Sequence, residues 1–378
     1  MTRIIRTFMQ TTVILGLITV SSMAWSAPET WQSDKASFRL ETVASELEHP
    51  WSIAFLPDGR QLVTERAGRL RVIQNGSLQE APVTGLPELV VSGQGGLLDV
   101  VLHPQFTDNN TLFLSYAHRN RDGMTTRVAR ATLNGTRLEE VTVIFEAAPR
   151  GNTSRHFAGR MVFDRDGLLY VAVGDRGEMD RAQDLEDDAG GVHRITVDGK
   201  PAPGNPFVGK AGANDTFYSW GNRNIQGMVR HPVSGEIWSH EHGPRGGDEI
   251  NIIRSGINYG WPEITYGIDY SGLPITNRVK KEGMAQPLHY WDPSIAPSGM
   301  AFYTGEHFPG WQGDLFVGAL KMQKLVRLTI DDGKVTEEED LLTDLGARIR
   351  DVRMGPDGML WLLTDAPQGK VYRLVPAE

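Results

Sequence analysis

The sequence predicts an all-β fold, a six-bladed β-propeller with long loops over one face forming the active site. Three observations carry this. A unit of apolar run, polar turn and second strand occurs six times. The turns are Asp-Gly, His-Pro or Thr-Gly, the residues that reverse a chain sharply because glycine accepts positive φ and proline presets its own. No helical periodicity of apolar residues persists after residue 26. Sheets exposed by such units are buried only by neighbouring copies, so a closed ring follows.

The copies run in order. Ile53–Leu56 turns at Pro57-Asp58-Gly59 into Gln61–Thr64, and Val100–Leu102 turns at His103-Pro104 into Thr111–Tyr116. Met161–Phe163 turns at Asp166-Gly167 into Leu169–Val173, and Met228–Arg230 turns at His231-Pro232 into Glu236–Ser239. Met300–Tyr303 turns at Thr304-Gly305 and continues in Asp314–Val317, and Val352–Met354 turns at Pro356-Asp357-Gly358 into Met359–Leu363. Third strands are expected at Leu70–Ile73, Glu249–Ile253, Leu325–Leu328 and Val371–Leu374. The strand Ser37–Val43 has no turn partner nearby. It is expected on the outer edge of the last blade, because an open ring would leave edges unpaired. The propeller domain is expected over 35–378, and a two-sheet sandwich would need shorter, more even spacing.

Ahead of it, Arg3 and Arg6 precede an apolar run from Thr11 to Val20 and small residues up to Ser26. That pattern predicts a cleaved secretory signal over 1–26, a periplasmic or secreted protein, and no membrane span in what remains. Removing it takes the formal net charge from −9 to −11, since Arg3 and Arg6 go and no acid does. Such a balance excludes nucleic acid as a partner. With no cysteine, packing alone must hold the fold.

Long glycine- and proline-rich stretches, Gly174 to Gly227 and Asn258 to Pro297, are expected to gather over one mouth of the ring. His156 stands just before the third copy, between Arg155 and Arg160, whose charges favour its neutral form. Equivalent blade positions bring Gln94, His156, Arg223, Asn224, Arg348 and Arg350 towards the same mouth, with Lys321 after the fifth copy. Collected cations in an acidic chain suit a small anionic ligand carrying several carboxylates or phosphates. Asp248-Glu249 suits an oxygen-ligated calcium better than zinc. His240 and His242 fit a metal or plain strand alternation equally well. The loop aromatics Trp220, Trp261, Tyr266, Tyr270 and Trp291 either stack on a ligand or pack the loops. H-E-x-x-H, G-x-S-x-G and a dinucleotide fingerprint are absent.

Five pieces in order, Ser154–Arg160, Trp220–Asn224, Gly243-Pro244 with Gly247–Asn251, Asn258–Pro262 and Arg348–Asp351, together resemble the soluble pyrroloquinoline-quinone (PQQ) dependent sugar dehydrogenases. The likeness covers about Phe38 to Leu374 and is closest to the bacterial aldose sugar dehydrogenase branch of the glucose/sorbosone dehydrogenase family. It implies a six-bladed propeller that oxidises the C1 hydroxyl of aldose sugars to lactones. His156 would be the general base and Asp175 the carboxylate that orients it. Gln94, Arg223, Asn224, Tyr270, Lys321, Arg348 and Arg350 would contact the tricarboxylate quinone. Carbonyls of Gly243 and Pro244 would hold a Ca2+ that polarises the quinone, and Glu249 with Tyr259 a second, structural Ca2+. The resemblance leaves the electron acceptor open, and a monomer is expected. Arg155 stands where glucose dehydrogenases carry a carboxylate, and the segment 183–189 is shorter than theirs, which favours broad aldose specificity. A calcium-dependent lactonase and a non-enzymatic sugar-binding propeller are the alternatives on the same fold.

Overall fold

A computed structural model describes residues 29–377; the expected signal segment 1–26 lies outside them. Among the described residues the strands form six antiparallel sheets, five of four strands and one of five. The four-stranded sheets are simple meanders from an inner to an outer strand, while the five-stranded one joins two N-terminal outer strands to three C-terminal ones. The inner strands are Pro50–Phe55, Leu97–Leu102, Met161–Phe163, Ile225–Arg230, Pro297–Phe302 and Ile349–Met354. Each touches the next in chain order and the sixth touches the first, so the ring is closed. We number the blades 1 to 6 in that order. Among the described residues, helix is confined to Phe106–Asn109 and two short 3-10 turns.

Closure follows the expected route. Ser37–Leu47 pairs antiparallel with Gly369–Pro376, Leu40 facing Leu374 and Thr42 facing Tyr372. A further strand, Thr30–Gln32, lies outside it, so the ring starts before the expected position 35. Phe38 meets the fully buried Trp311 edge-on at 5.5 Å, tying this strand to blade 5. The core is divided between neighbouring blades: Leu62, Leu70, Leu97 and Leu112 pack between blades 1 and 2, and Trp238, Met300, Phe302 and Leu315 between blades 4 and 5.

Two expectations about loops need correction. The stretch from Gly174 to Gly227 contains the outer strands of blade 3, Val192–Ile195 and Phe217–Ser219, and His289–Trp291 in the second stretch is the outer strand of blade 4. These strands are of three or four residues, too short for alternation to show.

The bore of the ring is crossed by buried charge. Arg160 pairs with Asp351 at 2.9 Å, and Arg353 reaches both Asp351 and Asp99 at 2.9 Å. Ser52 donates to Asp99 at 2.5 Å, and the Arg160 guanidinium lies 4.0 Å from the Trp51 ring centre. On one side of this cluster is a polar cavity under the loops. On the other is an apolar recess of about 410 Å³ lined by Ile53, Val100, Val229, Met300 and Met354.

Candidate active site

The polar cavity has a volume of about 270 Å³ and draws its walls from the loop ends of the ring. Gln94, Asn224, Arg348 and Arg350 line it, as expected, together with Arg66, His49, Gln226, His242 and Asp365. Alternation along Arg348–Arg350 turns both arginines the same way and sends Ile349 into the core.

His156 lies next to this cavity rather than in its lining, which its neighbours Phe157 and Ala158 form, and its loop is held from several directions. Its N–H donates to the Gln94 side-chain oxygen at 2.7 Å, and the Ala158 N–H donates to Asn224 Oδ1 at 3.2 Å. The arginine of the Gly174–Gly177 segment, Arg176, donates to the carbonyls of Arg155 and Thr153 and lies 3.5 Å from the Phe157 ring centre. His156, Ala158 and Arg176 all have positive φ, 53°, 51° and 58°. For residues with a Cβ this region is unfavourable, so the contacts hold the loop in a strained form. Gly174 is required where it stands: a Cβ there would lie 2.2 Å from the His156 carbonyl oxygen.

His156 Nδ1 is 2.6 Å from Asp175 Oδ1. The same carboxylate accepts the Gly177 N–H at 2.7 Å and, through Oδ2, the indole N–H of Trp261 at 2.8 Å. Burial pushes the His156 pKa below the ordinary histidine value; Asp175 pulls it up, and Arg223 and Arg155 add to the lowering. Arg160 is not the second arginine at work, because it lies in the bore paired with Asp351. Burial raises the Asp175 carboxyl, but His156, Arg223 and the Gly177 N–H hold it below its usual value. A buried, neutral imidazole oriented through Nδ1 leaves Nε2 as a proton acceptor.

The other expected residues are less uniformly placed. Arg223 lies to one side of the main cavity, its guanidinium donating to the Gly243 and His242 carbonyls at 3.0 and 3.2 Å and lying 5.3 Å from the Trp261 ring. Tyr270 is exposed, its ring 6.0 Å from that guanidinium. Lys321 is exposed on the rim, next to Leu320, which lines the cavity. The loop aromatics mostly pack: Tyr266 stacks on Tyr290 at 3.9 Å, Trp220 meets Phe207 edge-on, and Trp291 is buried. His240 and His242 donate to the carbonyls of Gly299 and Pro297 and bind blade 4 to blade 5, so strand alternation accounts for them.

The acidic positions change most. Asp248 accepts from the Gly243, Ile295 and Ala296 N–H groups and the Ser294 hydroxyl, and is therefore a loop organiser with no capacity left for a metal. Glu249 instead stands directly across the sheet from Glu241, a residue the sequence did not single out. Both line a small cleft with Gly243, Tyr259 and Thr265. Burial raises both carboxyls strongly, and for Glu249 the charge of Glu241 adds to it. Like charges facing each other across a sheet are unfavourable without a cation. The Tyr259 hydroxyl is not free for an ion in this cleft, since it donates to Ile252 O at 2.5 Å. The Gly243 carbonyl already accepts from Arg223. Among the described residues no three His, Asp or Glu side chains come together as a metal cluster, and no helix is long and apolar enough to cross a membrane.

Asp365 was also not foreseen. It lines the cavity and accepts from Arg348 and Arg350, at 3.1 and 3.0 Å, and contacts His49 at 2.8 Å. Only its position just after a blade-6 strand could have pointed to it. Arg66, Arg348 and Arg350 against one carboxylate still leave the cavity cationic.

The chain matches the family model "Glucose / Sorbosone dehydrogenase" over residues 47–373. It is 43% identical to the aldose sugar dehydrogenase YliI of Escherichia coli, over 97% of this chain and 99% of that protein. The crystal structure of the soluble E. coli aldose sugar dehydrogenase in its apo-form superposes with a TM-score of 0.87, covering 90% of this chain and all of that one (100%). The PQQ-bound aldose sugar dehydrogenase of Streptomyces coelicolor superposes with a TM-score of 0.74 at 27% identity, covering 92% and 99%. The chain belongs to the glucose/sorbosone dehydrogenase family.

Proposed function

We propose that this protein is a PQQ-dependent aldose sugar dehydrogenase that oxidises the C1 hydroxyl of the sugar to a lactone. The observation that carries the reading is the His156–Asp175 pair beside a cavity walled by Arg66, Arg348 and Arg350. A planar tricarboxylate fits that donor set: the arginines outnumber the acid, and amides of Gln94 and Asn224 lie beside them. The relatives named as aldose sugar dehydrogenases, one of them PQQ-bound, support the same ligand.

PQQ, when bound, supplies the hydride acceptor. The protein does the rest. His156 Nε2 takes the hydroxyl proton from the sugar, and Asp175 keeps the other ring nitrogen protonated and the ring aimed. Trp261 and the Gly177 N–H hold Asp175 ionised. Gln94 and Arg176 fix the strained loop that carries the base.

Calcium is part of the proposal at two places. The pair of the buried Glu241 and the half-buried Glu249, in a cleft that Tyr259 also lines, suits an oxygen-ligated dication. An ion at the Gly243 and Pro244 carbonyls would share Gly243 with Arg223. Residues 1–26 are proposed to direct export to the periplasm and to be removed, which N-terminal sequencing of the exported protein would test.

The function is tested by titrating the unloaded protein with PQQ and calcium chloride, then offering a panel of aldoses with a dye acceptor. Sugar-dependent dye bleaching that requires the quinone is expected. Lactone hydrolysis without quinone, and no bleaching with it, would overturn the reading in favour of a lactonase.

A further inference from the structure

We propose that His49 and Asp365 form a second proton-accepting pair, in this cavity, serving the step in which the reduced cofactor passes its electrons to an external acceptor. This rests on the dehydrogenase reading above.

The two pairs match in geometry. His49 Nδ1 is 2.8 Å from Asp365 Oδ1, and His156 Nδ1 is 2.6 Å from Asp175 Oδ1. Both histidines stand in the left-handed region, at φ 47° and 53°. Each lies just ahead of an inner strand, His49 of blade 1 and His156 of blade 3, and so on the same face of the ring. In each, Nδ1 is taken by the carboxylate and Nε2 has no partner among the described residues. The charged groups around His49 are Asp365, the two arginines bound to it, Arg66, whose N–H donates to the His49 carbonyl at 3.1 Å, and its chain neighbour Glu48. Asp365 is over-supplied with donors and stays ionised, which fixes the Nδ1–H form of His49 and leaves the Nε2 lone pair as its acceptor site.

Proton bookkeeping gives the second pair its task. Oxidising one sugar removes two electrons and two protons, as a hydride and a hydroxyl proton. When His156 hands its proton to the reduced cofactor the base is free again, and returning that cofactor to its quinone form would then send two electrons to two ferricyanide ions, used here as the acceptor, and release two protons. One imidazole holds one proton at a time. His156 can take the first; the second needs another acceptor in the cavity. His49 is the more open of the two, its side chain 28% exposed against 10% for His156, so it can hand the proton on to water.

The test separates the half-reactions by stopped flow in PQQ-loaded His49→Gly and His49→Gln. Glycine suits the positive φ and leaves room for a free imidazole. Reoxidation by ferricyanide is expected to slow by roughly tenfold or more, and by clearly more than reduction by sugar. Added imidazole should restore reoxidation in His49→Gly, which a purely structural role would not allow. In the unloaded parent, nitrogen-15 spectra should show the Nδ1–H tautomer of His49, and both half-reactions are read at quinone concentrations shown by fluorescence titration to saturate each variant. Equal slowing of both half-reactions, no imidazole rescue or an Nε2–H tautomer would each overturn the proposal. A parent that is never reduced by any aldose would instead defeat the dehydrogenase reading, and this proposal with it.

Discussion

The Trp261 indole donates to one oxygen of Asp175 at 2.8 Å, while the other oxygen faces His156 Nδ1 at 2.6 Å. The tryptophan thus reaches the base through the carboxylate, from a loop 86 positions further along the chain. Trp261→Phe keeps the packing and removes the donor. A charge-assisted hydrogen bond to a buried carboxylate is worth about 1.5–3 kcal/mol. Turnover should fall by roughly tenfold or more with quinone affinity unchanged, as steady-state kinetics and a quinone titration would show.

His156→Gln should bind quinone and lose roughly 10²–10⁴-fold in turnover, the usual contribution of a general base. The pH profile checks the assignment. The base acts only when neutral, and its pKa in the folded protein lies below the ordinary histidine value. Activity should therefore persist below that value and fall only as pH drops through the lowered one. That acidic limb should vanish in His156→Gln.

Arg350→Ala should weaken quinone binding more than Arg348→Ala. Both pair with Asp365, but the Arg350 side chain is 11% exposed and that of Arg348 43%. The more exposed cation loses more of its interaction to solvent screening. Isothermal titration with PQQ should rank the two, with sugar affinity little changed in either.

Calcium should stabilise the protein more at alkaline than at acidic pH. Glu241 and Glu249 have folded-state pKa values raised above the ordinary glutamate value of 4.5, by burial first. Their contribution to stability is complete below that value and is lost as pH rises through the raised ones. A metal-free sample should therefore melt lower at pH 8.5 than at pH 6. Calcium should reverse this by binding the ionised pair. Equal melting shifts at both pH values, or none in Glu241→Gln and parent alike, would remove the metal from this cleft.

The ring and its closure could be read from local signals. Asp-Gly and His-Pro turns mark each copy, and Ser37–Val43 lacked a partner until the last strand. The base was legible as a histidine at a strand mouth. What escaped were long-range partners. Glu241 is one residue on a strand of alternating histidines until the sheet sets it opposite Glu249. Asp365 looks like a turn acid until the ring brings His49, from the far end of the chain, against it. Arg160 is a neighbour of His156 in sequence only, because the strained loop between them carries it into the bore.

That charged cluster gives the ring a floor. Arg160, Arg353, Asp99 and Asp351 are wedged across it, and the polar cavity above and the apolar recess below share no lining residue. A sugar, its product and any acceptor that must touch the cofactor all share one doorway. They must take turns there, which imposes alternating, double-displacement kinetics. At high concentration the sugar should stand in the way of its own successor, the oxidant, and slow the enzyme it feeds.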